Sequence, residues 1–440
     1  MNEADATLDA IERTIDAAAR RKADLLVLPE CAYPAYLLGS VDSYRRGSHL
    51  TSDRFLRRLS ERASRHRMHI VCGLVEDTPK ALYNSAALLD DRGSIVGMAR
   101  KRFLWSAERD WYTVGDEIRV CDTPLGRIGI VICAEARMPE ILATLAHDGA
   151  ELIAMPTCWI NGSREAGAYE NPQVAFLIEA RAREFAVPFV CADKSGMEMP
   201  GVGYVGLSRI VGADGSLLAE APPTGDALSC ASLSLQVCER ASMSDALRSR
   251  LLAGEEPRRL SGVPKRRLTV AALPAGVIER WTPSHEAAAL QSLAERGVTL
   301  AVAPGCSSPA PGSLDVVRSP VAGGVTSVGP LRVAFVTGGD VRSFASSRAA
   351  ALDGAEALIV LDAPDDLPLL RARALENRVF VLAAGAAKAV AIGPGGEILA
   401  RADADGETAV AEIDPSAAWD KCVAPRTDVL AERRVGLYRF

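Results

Sequence analysis

Five segments from the first half of this chain recur, in the same order, in its second half. "RRKADLLVLPEC" (20–31) returns as "ERGVTLAVAPGC" (295–306), and "GRIGIVICAEARMP" (126–139) returns as "LRVAFVTGGDVRSF" (331–344). "AHDGAELIAMPTC" is echoed by "LDGAEALIVLDAP", "FLIEARAREFAVPFVCA" by "LLRARALENRVFVLAAG", and "SRIVGADGSLLAEA" by "AVAIGPGGEILARA". An ordered set of this kind marks a tandem duplication, so one scaffold has to accommodate both halves. At 440 residues the chain is long enough for two cores. The expected division is a first copy over 1–238, a charged linker with Gly and Pro breaks over 239–266, and a shortened second copy over 267–440.

Within the first copy, helical and strand patterns alternate. "ATLDAIERTIDAAARRK" and "FLRRLSERASRHRM" carry apolar residues at helical spacing. "ADLLVLPE", "HIVCGLVED", "GRIGIVIC", "ELIAMPTCW" and "VPFVCADKSG" read as buried strands, and "LYNSAALLDDRGSIVGMARK" and "GLSRIVGADGSLLAEA" as hairpins. Helices alternating with strands predict an α/β fold with a mixed sheet covered by helices.

The two copies differ where polar residues stand. Gly305 replaces Glu30, Gly338 replaces Cys133, and the hairpin that leads to Lys101 is mostly absent from the second copy. Taken alone, Cys133 after the run Ile128–Ile132 could be a buried core thiol. Its loss together with Glu30 and Lys101 points instead to one functional set, intact in one copy and stripped from the other.

These three segments, "LLVLPE", "GMARKRFLW" and "GIVICAEARMPE", resemble the signature of the nitrilase, or carbon-nitrogen hydrolase, superfamily, over roughly residues 6–238. The resemblance implies an αββα four-layer sandwich in two tandem copies, the second truncated. It implies that Cys133 attacks a carbonyl or nitrile carbon as a thiolate, that Glu30 acts as base, and that Lys101, with a backbone amide near Ala134, stabilises the oxyanion. Glu108, seven residues after Lys101, matches a second family glutamate that orients substrate and lysine. Trp105, Trp111, Tyr112, Ala134, Cys158 and Trp159 are expected to line the acyl pocket, Arg137 and Glu140 to pair, and Asn84 to bond backbone. The expected substrate is a linear amide or N-carbamoyl compound, hydrolysed through a thioester. The alternatives are a nitrile, acyl transfer to an amine, and a catalytically silent scaffold or binding protein.

The chain also departs from the family pattern. A core strand normally precedes the first helix; the first copy begins within that helix, whereas the second copy has the strand as "RRLTVAALPA". A start placed too far downstream is the expectation.

Composition narrows the partners. A net charge of −6 without a basic block argues against nucleic acid, and no apolar stretch is long enough for a membrane span. The N-terminal segment has no signal-peptide core, so a cytoplasmic location is expected. The ten cysteines include no CxxC pair, and His66 and His69 read as a solvated charged face, so neither a metal nor a cofactor is expected. A small-molecule substrate and a possible homo-oligomer are expected, with the C-terminal copy acting as an internal packing partner.

Overall fold

The computed structural model describes residues 4–161, 171–199, 202–235, 243–261, 267–319, 324–403 and 408–440, so Cys238 falls outside the described residues. Its contacts divide the chain into two units, Met1–Ala241 with Gly436–Phe440, and Ser242–Val435.

In the first unit, α1 (Ala4–Arg20) turns Ile11, Ile15 and Ala18 inward, the spacing of one helical face. β1 (Leu25–Val27) follows, then the short α2 (Val41–Arg45). α3 (Ser52–His66) is capped by the Thr51 side chain and ends on Arg67 in the left-handed region. Arg62 and His66 of α3 both reach Asp16 of α1, at 3.0 and 2.8 Å. Together the two helices cover a sheet of β1, β2 (His69–Asp77), β3 (Leu82–Leu89) and β4 (Ile95–Arg100), in that order. His66 and His69 therefore do not share a solvated face, because His69 is buried in β2. Among the described residues, no group of three or more His, Cys, Asp or Glu gathers as a metal site would require.

A second sheet is built from β5 (Val120–Thr123), β6 (Gly126–Ile130), β7 (Leu152–Thr157), β9 (Phe189–Asp193), β12 (Arg209–Val211) and β13 (Leu217–Glu220). Its order is β13-β12-β9-β7-β6-β5, with β6, β7 and β9 parallel at the centre. The helices α4 (Pro139–His147) and α5 (Ile178–Phe185) cover its outer face, and β1 and β2 pack on its inner face. Helix, sheet, sheet and helix form an αββα sandwich. β8 (Ile160–Asn161), β10 (Met197–Met199) and β11 (Val202–Tyr204) make a small third sheet.

The second unit repeats the plan. It opens with α6 (Asp245–Leu252), a helix inside the stretch read as linker, which packs on α9 (Phe344–Leu352) and ties Arg250 to Asp353 at 2.6 Å. β14 (Leu268–Ala272), α7 (Ala275–Ile278), α8 (Pro283–Glu295), β15 (Val298–Val302) and β16 (Asp315–Val317) follow. Then come β17 (Val325–Val328), β18 (Leu331–Phe335), β19 (Ala357–Val360), α10 (Leu367–Asn377), β20 (Phe380–Ala384), β21 (Ala389–Ile392), β22 (Ile398–Ala402) and β23 (Ala409–Ile413). The larger sheet, β17 to β22 in sequence order, matches the larger sheet of the first unit strand for strand. Even a buried ion pair recurs: Arg181 bonds Glu184 in α5 as Arg373 bonds Glu376 in α10, both at 2.8 Å. Both helices end on a left-handed residue, Ala186 and Arg378.

The smaller sheets differ. In the second unit the order is β16-β15-β14-β23. No described strand there corresponds to β3 or β4, while β14 has no described counterpart beside β1. No described helix is long and apolar enough to cross a membrane.

Candidate active site

The polar residues expected from the sequence meet just beyond the C-terminal ends of β1, β4, β6 and β7. Glu30 stands three residues past β1, Lys101 directly follows β4, Cys133 stands three residues past β6, and Cys158 directly follows β7. Parallel strands that stop at one level bring side chains distant in sequence to one place.

Lys101, Glu30 and Glu108 are all at most 1% exposed. Lys101 Nζ donates to Glu30 Oε1 at 2.6 Å and to Glu108 Oε1 at 2.7 Å. Burial alone would pull the ammonium's pKa down; the charges of Glu108 and Glu30 outweigh it and hold that pKa well above the ordinary lysine range. Asn84 does not confine itself to backbone: its carbonyl accepts from Lys101 N, but its side chain donates to Glu30 Oε1 at 2.6 Å. The second oxygen, Glu30 Oε2, is buried and has no hydrogen-bond partner. Glu108 accepts from Tyr36 OH and from the Trp105 amide, both at 2.8 Å. Burial raises its pKa, Lys101 opposes this, and Glu30 adds to it.

Cys133 opens a short 3-10 turn, Cys133–Arg137, with a φ of +48°. A non-glycine residue in that region is uncommon and points its side chain away from the strand direction. The thiol lies 3.7 Å from the Cys158 carbonyl. Burial raises its pKa first and Glu30 adds to that, while Lys101 pulls the other way. Glu135 holds the turn: its Oε2 accepts from Ile132 N at 2.7 Å, and its Oε1 from Arg102 N and Nε, each at 2.6 Å. Arg102 and Glu135 form a buried pair.

The expected pocket residues fare differently. Ala134 is buried beside the thiol. Cys158 directs its thiol to the Glu30 carbonyl at 3.1 Å. Trp159 is built into the wall, since its amide donates to Asp193 Oδ1 at 2.7 Å. Oriented to satisfy both neighbours, the Gln173 amide accepts from the Trp159 indole N–H at 2.9 Å and donates to the Cys133 carbonyl at 2.8 Å. Trp105 lies under the Arg137 guanidinium, 5.0 Å away. Trp111 meets Tyr112 edge-on beside Cys31, Tyr36 and Cys158.

Sequence reading missed Tyr36, Gln173, Arg102 and the cluster around Glu198, which accepts from Leu37 N, Lys194 Nζ and Tyr204 OH. Only Arg102 carried a signal, as the neighbour of Lys101 facing the acid that follows Cys133. In the second unit, a Cβ on Gly338 would meet Asp362 O at 2.0 Å, and the Gly338 amide donates to the Asp362 carboxylate at 2.6 Å.

A family model described as carbon-nitrogen hydrolase matches residues 1–242 and again 266–419. A probable nitrilase of Schizosaccharomyces pombe is 28% identical over 36% of this chain, which spans 57% of that protein's length. A bifunctional nitrilase/nitrile hydratase of Nicotiana tabacum is 29% identical over 54% of the chain and 75% of its own length. A nitrilase of Pyrococcus abyssi is 28% identical over 55% of the chain and 89% of its own length. Among solved structures, a carbon-nitrogen hydrolase from Helicobacter pylori aligns with a TM-score of 0.48 at 22% identity, over 51% of this chain and 83% of that one.

Proposed function

The chain belongs to the carbon-nitrogen hydrolase family, and from that premise we propose that its first unit hydrolyses a linear amide or an N-carbamoyl compound through a thioester on Cys133. The observation that supports this reading best is the asymmetry of Glu30. One oxygen is held by Lys101 and Asn84, and the other is buried and unpartnered. A carboxylate so placed can take a proton on the second oxygen without losing its position.

The steps follow from that arrangement. Cys133 Sγ attacks the carbonyl carbon as its proton passes to Glu30 Oε2. The carbonyl oxygen becomes an oxyanion, stabilised by Lys101 and by a first-turn amide at residue 134. The C–N bond breaks, the amine leaves with the proton from Glu30, and a thioester remains. Water then gives a proton back to Glu30 and attacks the thioester, releasing the acid and the thiol. Glu108 acts through Lys101, which it holds in place together with Tyr36.

The relatives named as nitrilases favour a second reading, in which the same thiol adds to a nitrile carbon. In the second unit Gly305 and Gly338 supply neither acid nor thiol, so it serves as a scaffold without this chemistry.

Ammonia release from amides, N-carbamoyl amino acids and nitriles, with intact-mass analysis for an acyl adduct, tests both readings. Release and adduct that vanish in Cys133→Ala are expected, and the productive substrate identifies the class. A folded full-length protein that gives neither would overturn the proposal in favour of a silent binding protein.

A further inference from the structure

The peptide that joins Cys133 to Ala134 is held at one end only. It is trans, so its carbonyl and its N–H point in opposite directions within one plane. The carbonyl, on Cys133, accepts from the Gln173 amide at 2.8 Å. The N–H, on Ala134, is buried and donates to no described group. A buried amide without an acceptor is uncommon, and here it stands beside the thiol. Whatever fixes the carbonyl end therefore also aims the N–H.

Gln173 is itself fixed. Its side-chain oxygen accepts from the Trp159 indole N–H at 2.9 Å. An indole N–H can only donate, so the Gln173 amide nitrogen is left facing Cys133. Both side chains are buried. The Gln173 main chain is tied down as well, since its N–H donates to Asn171 Oδ1 at 3.0 Å. Gln173 also opens a wide π-helical turn, Gln173–Leu177, ahead of α5, in which the Ile178 amide donates to the Gln173 carbonyl. Such turns are rare and recur at functional sites.

The second unit lacks this arrangement. Gln173 stands eight residues before Arg181, and the residue eight before Arg373 is Asp365. Asp365 bonds Lys388 at 2.8 Å instead. α10 begins on an ordinary cap, with Asp366 accepting from Leu369 N at 3.1 Å. The two helices otherwise match down to the buried Arg–Glu pair, so packing alone does not call for the glutamine or the wide turn. Both occur in the unit that has Cys133 and are absent from the unit that has Gly338.

We propose that Gln173 is a positioning residue for the oxyanion hole. Through the Cys133 carbonyl it directs the Ala134 N–H at the oxygen that becomes negative when the thiol adds. The inference rests on the reading of Cys133 as the nucleophile. The bond to the carbonyl also polarises the peptide, which makes its N–H a stronger donor.

The test compares two reactions of Cys133 in the full-length protein, each followed by peptide mass at that residue. p-Nitrophenyl acetate acylates the thiol through a tetrahedral oxyanion and releases p-nitrophenolate. Methyl methanethiosulfonate is attacked at sulfur, giving a methyl disulfide and methanesulfinate, and forms no oxyanion. Gln173→Met should slow acylation at least about tenfold while thiolation stays within about twofold. A merely structural role would slow both reactions alike or neither, and either result in a folded variant would overturn the proposal. If Gln173→Met does not fold, Trp159→Phe decides, because it frees the Gln173 amide to turn. Acylation should again fall more than thiolation, and an unchanged ratio would overturn the proposal. So would a wild type whose Cys133 is thiolated but not acylated. A wild type acylated by the ester, with the expected loss in Gln173→Met, would support the inference even if it released no ammonia from any amide or nitrile. That last result would count against the hydrolase reading alone.

Discussion

Lys101 donates to Glu30 Oε1 at 2.6 Å with both side chains sealed from solvent, and Glu30 Oε2 has no partner. A single cation thus holds one oxygen of the carboxylate and leaves the other open to proton transfer. The same cation neutralises Glu108.

Replacing Lys101 with Met would leave both carboxylates buried without a counter-charge. Stability of the first unit should fall by about 3–5 kcal/mol, the usual cost of breaking a buried pair from one side. Glu30→Gln keeps the Lys101–Glu108 bond and should cost well under half of that, yet lower turnover by about 10²–10⁴-fold, the range for losing a general base. Urea unfolding and ammonia release measure the two effects separately. Equal stability of the two variants would show that Lys101 does not balance both acids.

Arg102 and Glu135 form the second buried pair, and Glu135 also binds the Ile132 amide ahead of Cys133. Arg102→Met alone should destabilise by about 3–5 kcal/mol, whereas Arg102→Met with Glu135→Leu should recover much of the loss. Activity should not return in the double variant, because the turn that presents Cys133 loses its anchor. A double-mutant cycle by urea denaturation, run beside the activity assay, checks both halves.

Burial raises the thiols of Cys72 and Cys133, and that of Cys191 is pushed up to about 12 by burial, with Arg209 opposing and Asp193 adding. A pKa raised on folding contributes stability that is intact below the unfolded value and is lost as pH climbs toward the folded value. Stability should therefore decline from about pH 8.5 upward, by about 1.4 kcal/mol per pH unit for each such thiol. Cys72→Ala, in β2 within the apolar cluster that includes Ile15, Phe55 and Leu59, should reduce that slope by one thiol's share. Denaturation midpoints between pH 7 and 10 measure the slope, and an unchanged slope would refute the assignment.

Gly338 stands where the first unit has Cys133, and a Cβ there would meet Asp362 O at 2.0 Å. Gly338→Ala should destabilise the second unit by about 1–3 kcal/mol through overpacking. Gly338→Cys should not acquire an acyl adduct under conditions that acylate Cys133. Intact mass and thermal unfolding of the two variants check this.

The repeat, the succession of helices and strands along the chain, and Glu30, Lys101 and Cys133 as polar residues at strand ends were legible because each rests on a short window: an apolar run, the turn that ends it, and the polar residue that follows. Glu108 was legible only through the family resemblance, seven residues after Lys101. The partners of these groups were not. Asn84 reaches Glu30 across 54 residues, Tyr36 reaches Glu108 across 72, and Leu37 reaches Glu198 across 161. Such pairs depend on sheet register and on how two sheets face each other, and no local pattern encodes either. The left-handed backbone at Cys133 is of the same kind, since the surrounding bonds to Glu135 and Gln173 hold it. Sequence alone determined which polar residues stand at these strand ends and that Gly305 and Gly338 take the positions of Glu30 and Cys133 in the second copy. Tertiary structure decided which oxygen of Glu30 is free, because that follows from where the strands carrying Lys101 and Asn84 run.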